Sequence, residues 1–135
     1  MKWLYRHLHK KEKGFTLVEL MVVIIILAVL TGIAIPSYLA LRNRARIQAT
    51  RSEMQNIATA ISVYEADTDG FPVAATMALM APMLEAAPGY MLDVPLNDGW
   101  GNPYTYVGTA PTYTLASTGG GVAAITITDG AFVGE

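Results

Sequence analysis

Few side chains in this sequence could carry out chemistry. It contains no cysteine, so a thiolate nucleophile, a cysteine-bound metal and a disulfide are all excluded. The two histidines, His7 and His9, lie in a basic stretch at the start of the chain. The remaining titratable groups are mainly carboxylates, and their spacing forms no recognisable catalytic pair. The sequence therefore argues against an enzyme.

One carboxylate is set apart by its surroundings. Glu19 is the only charged residue in the 21 residues from Phe15 to Ile35, which are otherwise largely apolar. A helix of that length spans about 30 Å, the thickness of a bilayer core. A carboxylate at the centre of such a helix costs about 2.5–3.5 kcal/mol, and less near an interface. Glu19 either reaches the headgroup region or needs a partner from outside the segment.

Charge is distributed unevenly along the chain. The first fourteen residues carry five positive side chains and one negative, a net charge of +4; because the whole chain carries −2, the remainder carries −6. By the positive-inside rule, the N-terminus stays in the cytoplasm and residues 37–135 lie outside the inner membrane. Arg42, Arg44 and Arg46 reduce the contrast. The acidic remainder argues against nucleic-acid binding.

The stretch "KGFTLVEL" before a long apolar helix closely resembles the class III signal of type IV pilins and type II secretion pseudopilins. The resemblance implies that a prepilin peptidase cuts between Gly14 and Phe15 and that the new N-terminal Phe15 is methylated. It also implies that Glu19 pairs with the terminal amine of a neighbouring subunit during assembly. Pro36 marks the region where the long helix of pilins bends or loosens, and both Pro36 and Gly32 are expected to interrupt its hydrogen-bond ladder.

The rest of the chain predicts an α+β domain. Apolar residues from Ile47 to Tyr64 recur every three or four positions and indicate an amphipathic helix. Gly70 is the expected C-terminal cap, and Pro72 prevents continuation. A short helix over 76–87, opened by Thr76 and interrupted by Pro82, precedes three strand candidates, "YTYV", "PTYTLAS" and "AAITIT". We expect a three-stranded antiparallel sheet packed on the helix, which is the pilin fold.

The segment "DGWGNPY" narrows the resemblance to the major, G-type pseudopilins. Its glycines allow unusual backbone angles and its tryptophan anchors an irregular loop, so a structural role is favoured. An aromatic ligand pocket built from Trp100, Tyr104 and Tyr106 is the alternative. The residues of this structural motif are Asp98, Trp100, Gly101, Pro103 and Tyr104.

The C-terminal segment departs from the G-type pattern. G-type pseudopilins bind calcium there through a segment that begins Ser-x-Gly and is rich in aspartate. The comparable stretch here is "STGGGVAAITITDG", where only Asp129 carries a carboxylate, followed by Glu135 further on. Calcium prefers six to eight oxygen ligands, so we expect no cofactor. Asp129 with backbone carbonyl oxygens remains a weak candidate site, or only a turn with Gly130.

Together these features predict a non-enzymatic filament subunit, most consistent with the major pseudopilin of a type II secretion system. A major type IV pilus subunit, and a membrane-tethered ligand-binding module, remain alternatives. The expected partners are further copies of the chain, the prepilin peptidase, an inner-membrane assembly platform, minor pseudopilins or pilins, and the bilayer before assembly. The expected segments are a leader (1–14), a transmembrane and assembly helix (15–36), an amphipathic helix half (37–69) and a C-terminal loop and sheet domain (70–135).

Overall fold

The computed structural model describes residues 14–109, 111–121 and 124–133. The predicted leader, apart from Gly14, and Glu135 therefore lie outside the described residues. Contacts divide the chain into two compact units, Met1–Ala40 and Leu41–Glu135. A single helix, α1 (Leu17–Thr68, 52 residues), begins in the first unit and ends in the second.

In the first unit, α1 presents only exposed side chains. Every residue from 14 to 40 is exposed, including the large apolar side chains of Phe15, Leu27 and Ile35. By length and composition, this part of α1 could cross a membrane. The expected interruption is not seen, because the helix is continuous through Gly32 and Pro36. Proline has no N–H, so the helix loses one hydrogen bond there without ending.

In the second unit, one face of α1 enters the core. Met54, Ile57 and Ile61 are fully buried, and Ile47 and Tyr64 are partly buried against the same cluster. These residues follow the three- and four-residue spacing read from the sequence, and the prediction of an amphipathic helix is confirmed. A second helix, α2 (Met77–Glu85), follows Thr76 at its N-cap position. Pro82 lies within α2 and does not interrupt it, contrary to expectation.

The sheet has four strands, where three were expected. Its order is β1 (Thr105–Thr109), β2 (Thr112–Ser117), β3 (Ile125–Thr128) and β4 (Ala131–Val133), with every neighbouring pair antiparallel. The missed strand, β4, is three residues long and follows a two-residue turn in which Asp129 and Gly130 both have positive φ, at 49° and 84°. An Asp-Gly pair with both φ values positive is the preferred tight hairpin turn. The interpretation of Asp129 and Gly130 as a turn is therefore correct.

The core lies between this sheet, α2 and the buried face of α1. Alternate residues of the strands point inwards, among them Tyr106, Tyr113, Leu115 and Ile127, each at most 1% exposed. Met80 and Leu84 of α2 are fully buried in the same cluster. This arrangement matches the predicted packing of a small sheet on the amphipathic helix.

We expect Ile57→Ala to lower the free energy of unfolding by about 2–5 kcal/mol, because it empties volume at a fully buried position. Val63→Ala is the matched control on the same helix; Val63 is 48% exposed, and we expect a change within about 0.5 kcal/mol. Chemical unfolding of the full chain in detergent micelles, followed by tryptophan fluorescence, measures both. Equal losses would contradict the placement of this helix face.

Candidate assembly site and the loop that orders the C-terminal domain

Glu19 lies in the first turn of α1 and folds back onto the start of its own helix. Both the backbone N–H and the hydroxyl of Thr16 donate hydrogen bonds to Glu19 Oε2, each at 2.8 Å. In return, the Glu19 N–H donates to Thr16 Oγ1 at 3.2 Å. Thr16 directly precedes the first helical residue, so the two side chains form a capping box. Among the described residues, no hydrogen bond reaches Glu19 Oε1.

This reciprocal cap was missed from the sequence, where the only partners considered for Glu19 were headgroups and a neighbouring subunit. The signal was present as "TLVE", a threonine followed three residues later by a glutamate and then by an apolar run. The cap reduces the cost of placing the carboxylate near apolar surroundings, because three hydrogen bonds join the N–H groups and side chains of Thr16 and Glu19 there.

The predicted processing residues lie just before the helix. Gly14 and Phe15 are outside any regular secondary structure, both are exposed, and Phe15 is 86% exposed. The peptide bond between them therefore lies in exposed chain ahead of the helix. An amine created at Phe15 would be four residues from Glu19 in sequence and next to Thr16, which caps the helix.

Asp98 organises the "DGWGNPY" loop. Its Oδ1 accepts hydrogen bonds from the backbone N–H groups of Trp100 at 3.0 Å and Asn102 at 2.9 Å. Its Oδ2 accepts a 2.6 Å hydrogen bond from the Ser117 hydroxyl at the end of β2. Only 6% of Asp98 is exposed. Desolvation raises the pKa of Asp98, but the hydrogen bonds from Ser117, Asn102 and Trp100 outweigh it and hold the pKa below its usual value.

The same loop is fastened to α1. The Trp100 indole N–H donates to Asn43 Oδ1 at 3.1 Å, and the Gly99 N–H donates to Thr50 Oγ1 at 3.0 Å. Thr50 is fully buried. An added side-chain carbon at Gly99 would lie 3.0 Å from that hydroxyl, so glycine suits this close approach. The loop thus contacts a helix about fifty residues earlier in sequence.

Pro103 and Tyr104 lead from this loop into β1. Pro103 forms an isolated bridge with Asn97 across the turn, and Gly101 has a φ of 88°, which favours glycine. The Tyr104 hydroxyl donates to Glu53 Oε2 on α1 at 2.8 Å. Desolvation and the hydrogen bond to Glu53 both raise the pKa of Tyr104.

The structure does not form the alternative aromatic ligand pocket. Tyr104 and Tyr106 are 3% and 1% exposed, and the Tyr106 hydroxyl donates to the Pro72 carbonyl at 2.8 Å. The indole N–H of Trp100 is hydrogen-bonded to α1. These aromatic groups are part of the packing, because their faces and polar atoms contact the protein itself.

Comparison with known proteins identifies the family. Residues 9–35 match the model of the prokaryotic N-terminal methylation motif, and residues 37–129 match that of type II secretion system (T2SS), protein G. The chain belongs to the type II secretion system protein G family. No solved structure gave a significant match.

Similar proteins named "Type II secretion system core protein G" occur in several bacteria. The one from Pseudomonas aeruginosa is 30% identical, over 82% of this chain and 84% of its own length. The one from Vibrio cholerae is also 30% identical, over the same shares. The Escherichia coli K12 protein is 32% identical, over 81% of this chain and 82% of its own length.

One predicted position, the cap at the end of α1, differs from the expectation. At the end of α1, Asp69 adopts the left-handed conformation with a φ of 61°, and Gly70 does not, so Gly70 is not the cap. Aspartate tolerates left-handed backbone angles better than most residues, so Asp69 can take the position after the helix where glycine was expected. Pro72 follows as predicted and is buried.

Asp129 takes the turn role that the sequence offered beside the weak calcium site. Its Oδ1 accepts a 2.9 Å hydrogen bond from the Tyr113 N–H at the start of β2, which steadies the β3–β4 turn. Among the described residues, no group of three or more His, Cys, Asp or Glu side chains is placed to hold a metal ion. Asp129 therefore has a structural partner at the start of β2.

We expect Asp98→Asn to lower the free energy of unfolding at pH 6 by about 2 kcal/mol, since it removes the negative charge of a carboxylate that accepts three hydrogen bonds. A lowered pKa in the folded state contributes stability above the unfolded value of about 4, which is lost as pH falls through the folded pKa. The gap in melting temperature between Asp98→Asn and the unsubstituted chain should therefore stay constant from pH 6 to about pH 4 and shrink as the pH falls further. Asp93→Asn, which removes an exposed carboxylate, is the control and should show no such convergence. A constant gap for Asp98→Asn would contradict the assignment.

Proposed function

We propose that this chain is the major pseudopilin of a type II secretion system, a structural subunit that polymerises into a filament without catalytic activity of its own. The subunit is inserted in the inner membrane, trimmed between Gly14 and Phe15, methylated at Phe15, and then packed helix to helix. Membership of the protein G family supports this proposal. The carrying observation is the position of Glu19 in an otherwise apolar, exposed helix.

The exposed part of α1 needs two successive environments. Before assembly, lipid can cover its apolar side chains, and after assembly the same side chains can pack against those of neighbouring copies. The positive charge before the segment favours a cytoplasmic N-terminus, with the C-terminal domain on the outer side of the inner membrane. A helix that serves both purposes must be apolar on all sides, as this one is.

Glu19 has a role in each environment. In the single chain, Thr16 holds Glu19 Oε2 and leaves Oε1 without a hydrogen bond from the described residues. Cleavage at Gly14 would add a positive amine at Phe15, and a neighbouring copy could present this amine to Glu19. In low dielectric, such a charge pair is far stronger than in water and leaves neither ion unpaired.

The remaining partners follow from the same proposal. A prepilin peptidase would act on the accessible Gly14–Phe15 bond, and an inner-membrane platform with minor pseudopilins would guide polymerisation. Pro36 lies within the continuous helix and cannot donate to the Gly32 carbonyl one turn earlier, so the helix can rearrange more easily there during packing. Long extracellular filaments made of this chain in its own cell would instead favour a type IV pilus subunit.

Processing gives the first test. Mass spectrometry of the mature protein from cells that contain the peptidase should find an N-terminus at Phe15 that carries one methyl group. In cells without the peptidase, the same measurement should find residues 1–14 still attached. A mature N-terminus elsewhere would contradict the proposed cleavage site.

Substitution at Glu19 gives the second test and separates its two roles. Glutamine can still accept the hydrogen bonds of the capping box, but it carries no charge. We expect Glu19→Gln and Glu19→Ala to insert in the membrane normally, yet both to reduce filament yield by at least about tenfold, the factor for a loss of about 1.4 kcal/mol. The yield is measured by shearing and sedimentation, and insertion by membrane fractionation.

Thr16→Val is the matched variant at the other residue of the capping box. It removes the hydroxyl cap but keeps the charge of Glu19. We expect it to assemble, with at most a modest loss, because a cap contributes about 1 kcal/mol. Normal filaments from Glu19→Gln together with none from Thr16→Val would show that capping is the essential role and would refute the charge pair.

A further inference from the structure

The G-type resemblance implies a calcium ion in the segment that follows β2. Such an ion would fasten a loop without regular structure by gathering six to eight oxygen ligands, several of them carboxylates. In this chain the connection from β2 to β3 contains threonine, glycine, valine and alanine but no acid. Its backbone makes a tight turn at Gly119–Gly121, in which Gly119 and Gly120 both have positive φ. Carboxylates would therefore have to come from elsewhere in the fold.

Asp129 cannot supply one. Ser117 pairs with Ile125 at the end of the strands that carries the β2–β3 connection, whereas Thr114 pairs with Thr128 at the other end. Asp129 follows Thr128 and is four residues from Ile125, so it lies about 13 Å along the strands from Ser117. Its carboxylate there accepts the Tyr113 N–H.

Asp98 is close to the connection, but its oxygens already face donors. Two N–H groups point at Oδ1 and the Ser117 hydroxyl points at Oδ2. A cation placed among these hydrogens would be repelled by them, and displacing them would leave buried donors unpaired. The donor set fits a hydrogen-bonded carboxylate and does not fit a calcium ligand.

We propose that this pseudopilin domain closes without a metal ion, through a latch made of Asp98, Trp100, Ser117 and Gly120. In the latch, Ser117 Oγ donates to Asp98 Oδ2 at 2.6 Å and accepts the Gly119 N–H at 3.2 Å. One hydroxyl thus joins the "DGWGNPY" loop to the turn after β2. Asp98 and Ser117 are both buried, so water competes little for this bond.

Gly120 provides the second contact of the latch. Its φ is 47°, in the left-handed region, and an added side-chain carbon would collide with the Trp100 ring. Glycine is therefore required both for the backbone angle and for the close approach to the indole. Because Trp100 and Gly99 also bond to Asn43 and Thr50, the latch connects the turn after β2 to α1.

The consequence is a domain whose stability does not depend on the calcium concentration outside the inner membrane. A stabilising ion would raise the melting temperature by mass action, whereas a hydrogen-bonded latch is unaffected by it. This inference concerns stability alone, so its test remains separate from any test of filament assembly.

The experiment uses the full chain in detergent micelles with Trp3→Phe, which leaves Trp100 as the single tryptophan. Thermal unfolding is followed by its fluorescence in 10 mM calcium chloride and in excess EGTA. We expect the two melting temperatures to agree within about 1 °C. With the millimolar or tighter affinity typical of extracellular calcium sites, binding would instead raise the melting temperature by about 5 °C or more.

Variants of the latch complete the test. In the same background, Ser117→Ala should lower the melting temperature by about 5–15 °C, and calcium should not restore it. Gly120→Ala should also lower it and should shift the Trp100 emission. Thr118→Ala is the matched control, since it removes an exposed hydroxyl next to Ser117 and should have little effect.

Three results would overturn the proposal: a calcium-dependent rise in the melting temperature of the Trp3→Phe chain, rescue of Ser117→Ala by calcium, or Ser117→Ala and Gly120→Ala both as stable as Thr118→Ala. If Ser117→Ala does not accumulate as a folded protein, two measurements still test the proposal. They are the calcium comparison on the Trp3→Phe chain and the melting temperature of Gly120→Ala.

Discussion

The exposed apolar side chains from Phe15 to Leu41 impose a constraint on every other part of this protein. Such a surface must be covered, by lipid in the single subunit and by other helices in a filament. Further along the helix, the buried face of α1 from Thr50 to Ile61 belongs to the core of the C-terminal domain. One helix therefore divides its length between two tasks, with assembly at its start and folding of the domain at its end.

Two carboxylates show how differently these tasks use the same chemical group. Asp98 has donors on both oxygens and is buried, which is the arrangement of a group that stabilises one fixed structure. Glu19 is exposed, and the described residues donate hydrogen bonds to only one of its oxygens. A carboxylate held in place with one oxygen open is suited to a further partner.

Periodicity and turn chemistry in the sequence were enough to predict most of the fold. The stripe from Ile47 to Tyr64, the short helix after Thr76 and the first three strands were all predicted from local patterns. The fourth strand was missed because three residues after an Asp-Gly turn carry too little pattern to be recognised alone. The helix end was placed on Gly70 because propensity favours glycine, but the chain uses Asp69.

The candidate sites were less predictable, because their partners are distant in sequence or serve more than one role. The hydrogen bond between Ser117 and Asp98 joins residues 19 apart, and that between Trp100 and Asn43 joins residues 57 apart. No local sequence pattern predicts either bond. The missing acids after β2 were visible in the sequence, but the contacts of Ser117 and Gly120 in this region were not. A buried hydroxyl between two loops fixes their relative position by geometry, whereas a metal ion does so only when it is present. A domain closed in this way would keep the relative position of its loops whatever the ionic conditions around it.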